Sequence, residues 1–457
     1  MTEKKSFEMD MVRGPVLKKM LRFSLPLMFS SILQILFNAA DIIVVGRFAG
    51  DHSLAAVGST TALINLLVNL FIGLSIGANV MAAKYYGARR NEALKETVHT
   101  AIALSLVSGV LLTVIGILGS RQILIWMKTP DEVVDLAALY LRVYFLGMTG
   151  VMVYNFGASI LRAVGDTKRP MYYLGLSGVI NVVLNLIFVI PMQMDVAGVG
   201  AATAISQWVS AVLIINCMRK EEGAMKLILR DLRIHGDKLI AIVKIGLPAG
   251  VQGMIFSLTN VMIQSSINSF GATIVAGNSA SSNVENFIYF PMNAFYQATI
   301  SFTSQNVGAK RISRIDKILT RGEMCAIGIG LITGLLELAF APFLLGIYSS
   351  SGAVVAAGMR RMRIIAPTYA LCGAMDVMVG ALRGMGYSVM PMLVSLVGVC
   401  GLRILWITTL FQMPQFHTLE MLYITYPVTW GVTATAHLIT FLVLRKKLRE
   451  KAVARRL

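Results

Sequence analysis

Apolar runs of about 20 residues, the length that crosses a bilayer as a helix, recur along the chain with short polar loops between them. Twelve are predicted as transmembrane helices, at residues 21–46, 54–82, 97–120, 134–160, 170–191, 197–218, 240–267, 274–303, 319–346, 361–381, 388–411 and 421–444. Lipid offers the backbone no hydrogen-bond partners, so each run must close its own bonds as a helix, and few other architectures are open to such a sequence. The composition agrees, with 56% hydrophobic and 14% charged residues and a mean hydropathy of +0.71. An all-α integral membrane protein is expected. The basic start MTEKKSFEMDMVRGPVLKKM leads into the first span without an evident small-residue cleavage site, so no cleavable signal peptide is expected.

A net charge of +18 invites a nucleic-acid reading, which its distribution excludes. Most of the 41 Lys and Arg fall in segments 1–22, 84–95, 162–169, 219–244 and 310–321, at Arg383, and in 445–457, alternating with loops nearly free of them. The positive-inside rule then puts both termini in the cytoplasm of a multi-pass protein of the cell (plasma or inner) membrane, with the lipid bilayer as its surroundings. Arg360, Arg361 and Arg363 fall on the opposite side, marking either a misplaced span or an outward vestibule. The four cysteines, Cys217, Cys325, Cys372 and Cys400, lack metal-ligand spacing and read as packing residues, so no metal site is expected.

The chain repeats itself. FSLPLMF (23–29) aligns with IGLPAGV (245–251), YYGARR (85–90) with NVGAKR (306–311), and LRAVGDTKRP (161–170) with LRGMGYSVMP (382–391). Pro26 pairs with Pro248, Gly87 with Gly308, and Arg162 with Arg383, so the offset stays at 221 or 222 residues. Two pseudo-symmetric six-helix bundles are predicted: residues 1–218, a basic cytoplasmic linker at 219–239, and residues 240–457 ending in a basic cytoplasmic tail. Secondary transporters build a site between such repeats.

Ionisable and amide side chains inside the spans are the functional candidates, because each is costly in lipid. Gln34, Asn38 and Asp41 lie at i, i+4 and i+7 on one face of the first span. Asn65 and Asn69, Asn155, Asn181 and Asn185, and Thr203 with Ser206 and Gln207 add polar positions on later spans, and one cavity in the first bundle is expected to gather them. A carboxylate among amides holds a proton or, ionised, a sodium ion, so Asp41 is the expected coupling residue. The alternative pairs Asp41 with Arg47 as an interfacial anchor. In the second half the candidates are Glu285, among Asn278, Ser281 and Asn286, and Asp376; Glu337 stands without polar companions. Their alternatives are a satisfied hydrogen bond in a helix seam for Glu285 and pairing with Arg383 for Asp376. The expected substrate cavity is thus Gln34, Asn38, Asn65, Asn155, Glu285 and Asp376. The 27 methionines offer deformable apolar lining for varied ligands. Pro26 and Pro248 each remove a backbone donor inside a span and are the expected hinges. Gly73 and Gly77 are read as a close-packing GxxxG pair.

With Pro26 and Asp41 in the first span, KYYGARR after the second and LRAVGDTKRP after the fourth, and with their counterparts LPAG, QNVGAKR and LRGMG in the second half, the chain resembles the MATE (multidrug and toxic compound extrusion) transporters of bacterial type, over roughly residues 17–445. The resemblance implies the MATE fold of the MOP superfamily and export of organic, often cationic compounds against an inward proton or sodium gradient by alternating access. It also implies that Asn181, Asn185 and Thr203 form the first-lobe cation site with Asp41. Asn185 stands where several relatives carry a second carboxylate, and Phe256 stands eight residues after Pro248 where the sodium-coupled branch carries a glutamate.

No HExxH, GxSxG or Walker loop occurs, so an enzyme is not expected. AGVGAATAIS (197–206) opens a span without a preceding strand and is no nucleotide loop. No cofactor is expected beyond the transported H+ or Na+, and the partners are small organic molecules. The family resemblance suggests a monomer. The rival function is a flippase for a lipid-linked oligosaccharide or another amphipathic lipid, which would show a more cationic cavity.

Overall fold

The computed structural model of the protein describes residues 7–127 and 129–454; residues 1–6, which open the basic N-terminal segment, and 455–457, which close the basic tail, lie outside the described residues. The helices in chain order are α1 (Val16–Val44), α2 (Asp51–Gly87), α3 (Asn91–Trp126), α4 (Asp131–Phe145), α5 (Met148–Ala163), α6 (Lys168–Val189), α7 (Asp195–Arg219) and α8 (Gly236–Asn268). They continue as α9 (Ala272–Gly308), α10 (Ser313–Ala339), α11 (Ala341–Tyr348), α12 (Gly352–Ile365), α13 (Tyr369–Gly384), α14 (Val389–Ser395), α15 (Leu402–Thr408) and α16 (Leu419–Ala454). No strand occurs among the described residues.

Among the described residues, ten helical segments are long and apolar enough to cross a membrane, or eleven if α4 and α5, bent by 46° at their junction, are one span. Only the expected span at 274–303 is missing from that set. It is α9, a 37-residue helix whose Asn278, Ser281 and Glu285 lower its hydropathy and are buried inside the protein. The helix is long enough, and these three polar side chains are buried by its neighbours.

The repeat is written into the backbone. α2 and α9 are each 37 residues long, and each follows a glycine in the left-handed region, Gly50 at φ 92° and Gly271 at φ 94°. The helices after them are preceded by Arg89 at φ 55° and Lys310 at φ 58°, a conformation L-residues seldom adopt. A costly geometry recurring 221 residues later shows the two halves taking the same turn.

The chain divides by its contacts into two compact units. Unit 1 comprises residues 1–10 and 29–250, and unit 2 comprises 11–28 and 251–457. These bounds differ from the sequence division: α1 passes from unit 2 to unit 1 just beyond Pro26, and α8 from unit 1 to unit 2 just beyond Pro248. The core of unit 1 is built around Leu112, Leu141, Phe145, Met148 and Val199. That of unit 2 centres on Ile263, Met375, Leu422, Tyr423 and Trp430, with a second cluster around Phe295, Val377 and Phe441.

Within unit 1, Gly73 and Gly77 of α2 meet Gly246 and Gly250 of α8. A Cβ on Gly73 would lie 2.2 Å from the Gly250 nitrogen, and one on Gly77 2.2 Å from the Ile242 carbonyl oxygen. The GxxxG pair of α2 therefore faces a second GxxxG pair, and backbone packs directly on backbone. The basic linker is not a free tether. It is laid along α3, with the Ile228 amide donating to His99 Nε2 at 3.2 Å, the His235 amide to Thr100 Oγ1 at 3.0 Å, and Lys238 paired with Glu96 at 3.1 Å.

Candidate functional site

Asp41 lies on the last turn of α1 within unit 1, and the side chains that answer it come from α6 and α7. Asn181 and Asn185 are one turn apart, so both reach the same face of α6, and both are buried, at 5% and 0% exposure. Asn185 Nδ2 donates to Asp41 Oδ1 and lies 3.4 Å from Asn181 Oδ1. Asn181 Nδ2 in turn donates to Thr203 Oγ1 of α7 at 3.3 Å. The structure thus joins Asp41, Asn181, Asn185 and Thr203, the set that the family resemblance implies, in one hydrogen-bonded group. Asp41 is bound to Asn185, and among the described residues it makes no ion pair with Arg47.

The group is rich in oxygen. Asn185 Oδ1 is buried and has no hydrogen-bond partner among the described residues. With both donors of an amide turned to carboxylate and amide oxygens, its own acceptor stays open, and an open buried acceptor beside a carboxylate suits a cation. Two residues missed in the sequence stand nearby. Tyr140 and Tyr144 of α4 lie within electrostatic reach of Asp41, their rings 5.7 Å apart. Their one signal in the sequence is a spacing of one helical turn, common to many packed aromatic pairs.

The expected cavity residues are placed differently from one another. Gln34, Asn38 and Asn65 are exposed on the surface of unit 1, and among the described residues no hydrogen bond joins them to the Asp41 group. Asn155 is half-buried and turns its Nδ2 back to the Val151 carbonyl at 2.8 Å. Asp376 is half-buried on α13 in unit 2. Arg383, its expected partner, lies within electrostatic reach of it and is hydrogen-bonded to the Tyr296 hydroxyl and, at 2.8 Å, to Gln252 Oε1.

Glu285 is not an open carboxylate. Arg361 grips it with a two-pronged fork, Nε to Oε1 at 2.9 Å and Nη2 to Oε2 at 2.7 Å, while Ser281 donates to Oε1 at 2.9 Å. The remaining Arg361 arm reaches Asn278 Oδ1 at 2.9 Å, and Asn278 Nδ2 reaches Gln264 Oε1 at 3.0 Å. A buried carboxylate is tolerated when its charge and lone pairs are matched, so the seam reading fits Glu285 better than a substrate-facing one. Arg361 of α12 is 6% exposed, whereas Arg360 and Arg363 are exposed. Glu337, on α10, is buried with Oε2 lacking a partner among the described residues.

The comparisons with known proteins follow the same doubled plan. The MatE family model matches twice, over residues 26–187 and 248–408, so each matched segment begins at one of the paired prolines. The chain is 26% identical over 441 residues to the probable multidrug resistance protein YoeA of Bacillus subtilis, covering 94% of this chain and 93% of that one. It is 24% identical to the probable multidrug resistance protein NorM of Thermotoga maritima, covering 85% and 84%. Among solved structures, a MOP superfamily transporter from Pyrococcus furiosus superposes with a TM-score of 0.91 at 24% identity, over 98% of this chain and 100% of that one. An outward-facing MATE transporter of the MOP superfamily superposes with a TM-score of 0.89 at 23% identity, over 98% and 100%. These likenesses establish the fold, and with the two family-model matches over most of the sequence, this chain belongs to the MatE family of multi-pass membrane transporters.

Proposed function

We propose that the protein is a secondary active multidrug efflux antiporter. It exports organic, often cationic compounds by alternating access, in exchange for a cation taken up at Asp41. The observation that carries this reading is the Asp41–Asn185–Asn181–Thr203 group, a single carboxylate tied to amides inside a membrane-spanning unit. One carboxylate holds one proton, and protonation removes its charge from the bilayer interior, which is the property a proton-coupled carrier needs. We take the proton as the coupling ion. Sodium is favoured by one feature: the open Asn185 Oδ1 would complete an oxygen shell with Asp41 and Thr203.

Exposed amides on a membrane-spanning surface face water more readily than lipid, so Gln34, Asn38 and Asn65 mark the side of unit 1 from which substrate would approach. Pro26 and Pro248 lie where α1 and α8 change units, and a missing backbone hydrogen bond at each place lets the helix bend there. The relatives are named multidrug resistance proteins, and the carriage of small organic molecules by a monomer in the cell membrane, with both termini cytoplasmic, completes the proposal. A flippase for an amphipathic lipid is the second reading, favoured by the arginines buried inside unit 2.

Efflux of the cationic dye ethidium from proteoliposomes decides the matter. The expected result is efflux driven by an imposed pH gradient and lost in Asp41→Asn. Efflux that follows a sodium gradient alone would replace the proton with sodium. Coupled efflux undiminished in Asp41→Asn would remove Asp41 from the mechanism.

A further inference from the structure

Unit 2 buries an arginine that no acid answers among the described residues. Arg403, on α15, is 4% exposed. Its Nε donates to Thr429 Oγ1 at 3.1 Å, and its Nη2 is buried with no hydrogen-bond partner among the described residues. Arg361, by contrast, has its charge matched by Glu285 at 2.7 Å, and among the described residues Arg403 has no such ion pair.

Aromatic rings surround the unmatched guanidinium. Its central carbon is 4.2 Å from the Tyr426 ring centroid and 5.9 Å from that of Trp430. Tyr369 packs on Trp430 at 5.0 Å, and Tyr426 meets Trp430 edge-on at 5.6 Å. Tyr369 and Tyr426 are only half-buried, so this ring cluster opens at one side of the core. Ring faces offset part of the cost of holding a charge away from water, but they provide no acceptor for Nη2. A carboxylate oxygen would.

We propose that Arg403, with Tyr426, Trp430 and Tyr369, forms a binding subsite for the carboxylate of a flat aromatic monoanion. One uncompensated positive charge matches a monoanion, and the unpartnered Nη2 has N–H groups to give to a carboxylate. A phosphate dianion would bring two negative charges to that one positive charge. The rings supply faces for an aromatic body to stack on. Tyr426 covers the Arg403 guanidinium, and the same ring lies 5.2 Å from the guanidinium carbon of Arg361. The inference rests on the reading of the chain as an exporter of organic compounds, and it adds aromatic monocarboxylates to the cargo.

The test is equilibrium binding of radiolabelled benzoate to the purified full chain in detergent, with inorganic phosphate as competitor. Wild type is expected to bind benzoate saturably. Arg403→Gln should weaken binding by about tenfold or more, the loss of one charge-assisted hydrogen bond. Arg403→Lys should recover part of it, and Arg363→Gln, at an exposed arginine, should leave it unchanged. Should Arg403→Gln fail to fold, Tyr426→Ala replaces it, with a several-fold loss expected. Absence of saturable binding by wild type, equal binding by Arg403→Gln, or phosphate competing as well as benzoate overturns the proposal. Ethidium efflux by wild type is read separately. Benzoate bound without ethidium efflux defeats the exporter reading and leaves the subsite standing, and efflux without benzoate binding does the reverse.

Discussion

Asn185 donates its amide to the Asp41 carboxylate from α6 and keeps its own Oδ1 buried and open. One residue thereby holds the acid in place and offers a second oxygen beside it, a geometry that ties the position of the charge to the packing of α1 on α6. Replacing Asn185 removes both functions at once.

Asn185→Leu is expected to keep the fold and lose the amide contact. A hydrogen bond to a charged group contributes about 1.5–3 kcal/mol, so the apparent affinity for the coupling cation should fall roughly ten- to a hundredfold. The concentration dependence of ethidium efflux on the driving cation measures it. An unchanged dependence would show that Asn185 only packs.

Removing one member of the Arg361–Glu285 pair should be harsher than removing both. Arg361→Met strands a buried carboxylate, and the loss of a partner from a buried pair costs about 3–5 kcal/mol. Arg361→Met with Glu285→Leu should recover most of the lost stability. Thermal unfolding of the purified variants, read as the loss of the monodisperse peak in size-exclusion chromatography, tests this. Equal destabilisation by the single and double variants would deny the coupling.

At the α2–α8 crossing even alanine is too large. The nearest atoms to an added Cβ on Gly73 or Gly77 are backbone, which cannot swing aside. Gly77→Leu is expected to destabilise by more than the usual ~1–3 kcal/mol of overpacking, and to reduce the folded yield. Gly328, whose added Cβ meets nothing within 4 Å, is the control position, where Gly328→Ala should be neutral or slightly stabilising.

Pro26→Ala restores a backbone donor in the middle of α1 and removes a helix-breaking ring, a change worth up to about 3 kcal/mol in a helix interior. The expected outcome is a variant at least as thermally stable as wild type and several-fold slower in ethidium efflux. Full efflux in a stable Pro26→Ala protein would end the hinge reading. The same assay applies to Pro248→Ala.

By itself the sequence determined the class of fold, because runs of apolar residues in lipid have only the helix open to them, and it determined the doubling, because Pro26 with Pro248 and Arg162 with Arg383 keep one offset. It also made Asp41 conspicuous as an acid on an apolar helix, whereas Asn181, Asn185 and Thr203 were set beside it among many polar positions by the family resemblance. The tertiary structure decided which polar groups meet. Glu285 and Arg361 are 76 residues apart in the chain, and no periodicity links them. That Tyr140 is near Asp41, and that Arg403 has no acid beside it among the described residues, depends on how α4 and α15 are rotated about their axes. Helix rotation and register are set by the packing of neighbouring helices, a property of the assembled unit that no single span encodes. For the same reason Gln34 and Asn38, which share a helix with Asp41, are exposed while Asn185, from another helix, reaches its carboxylate.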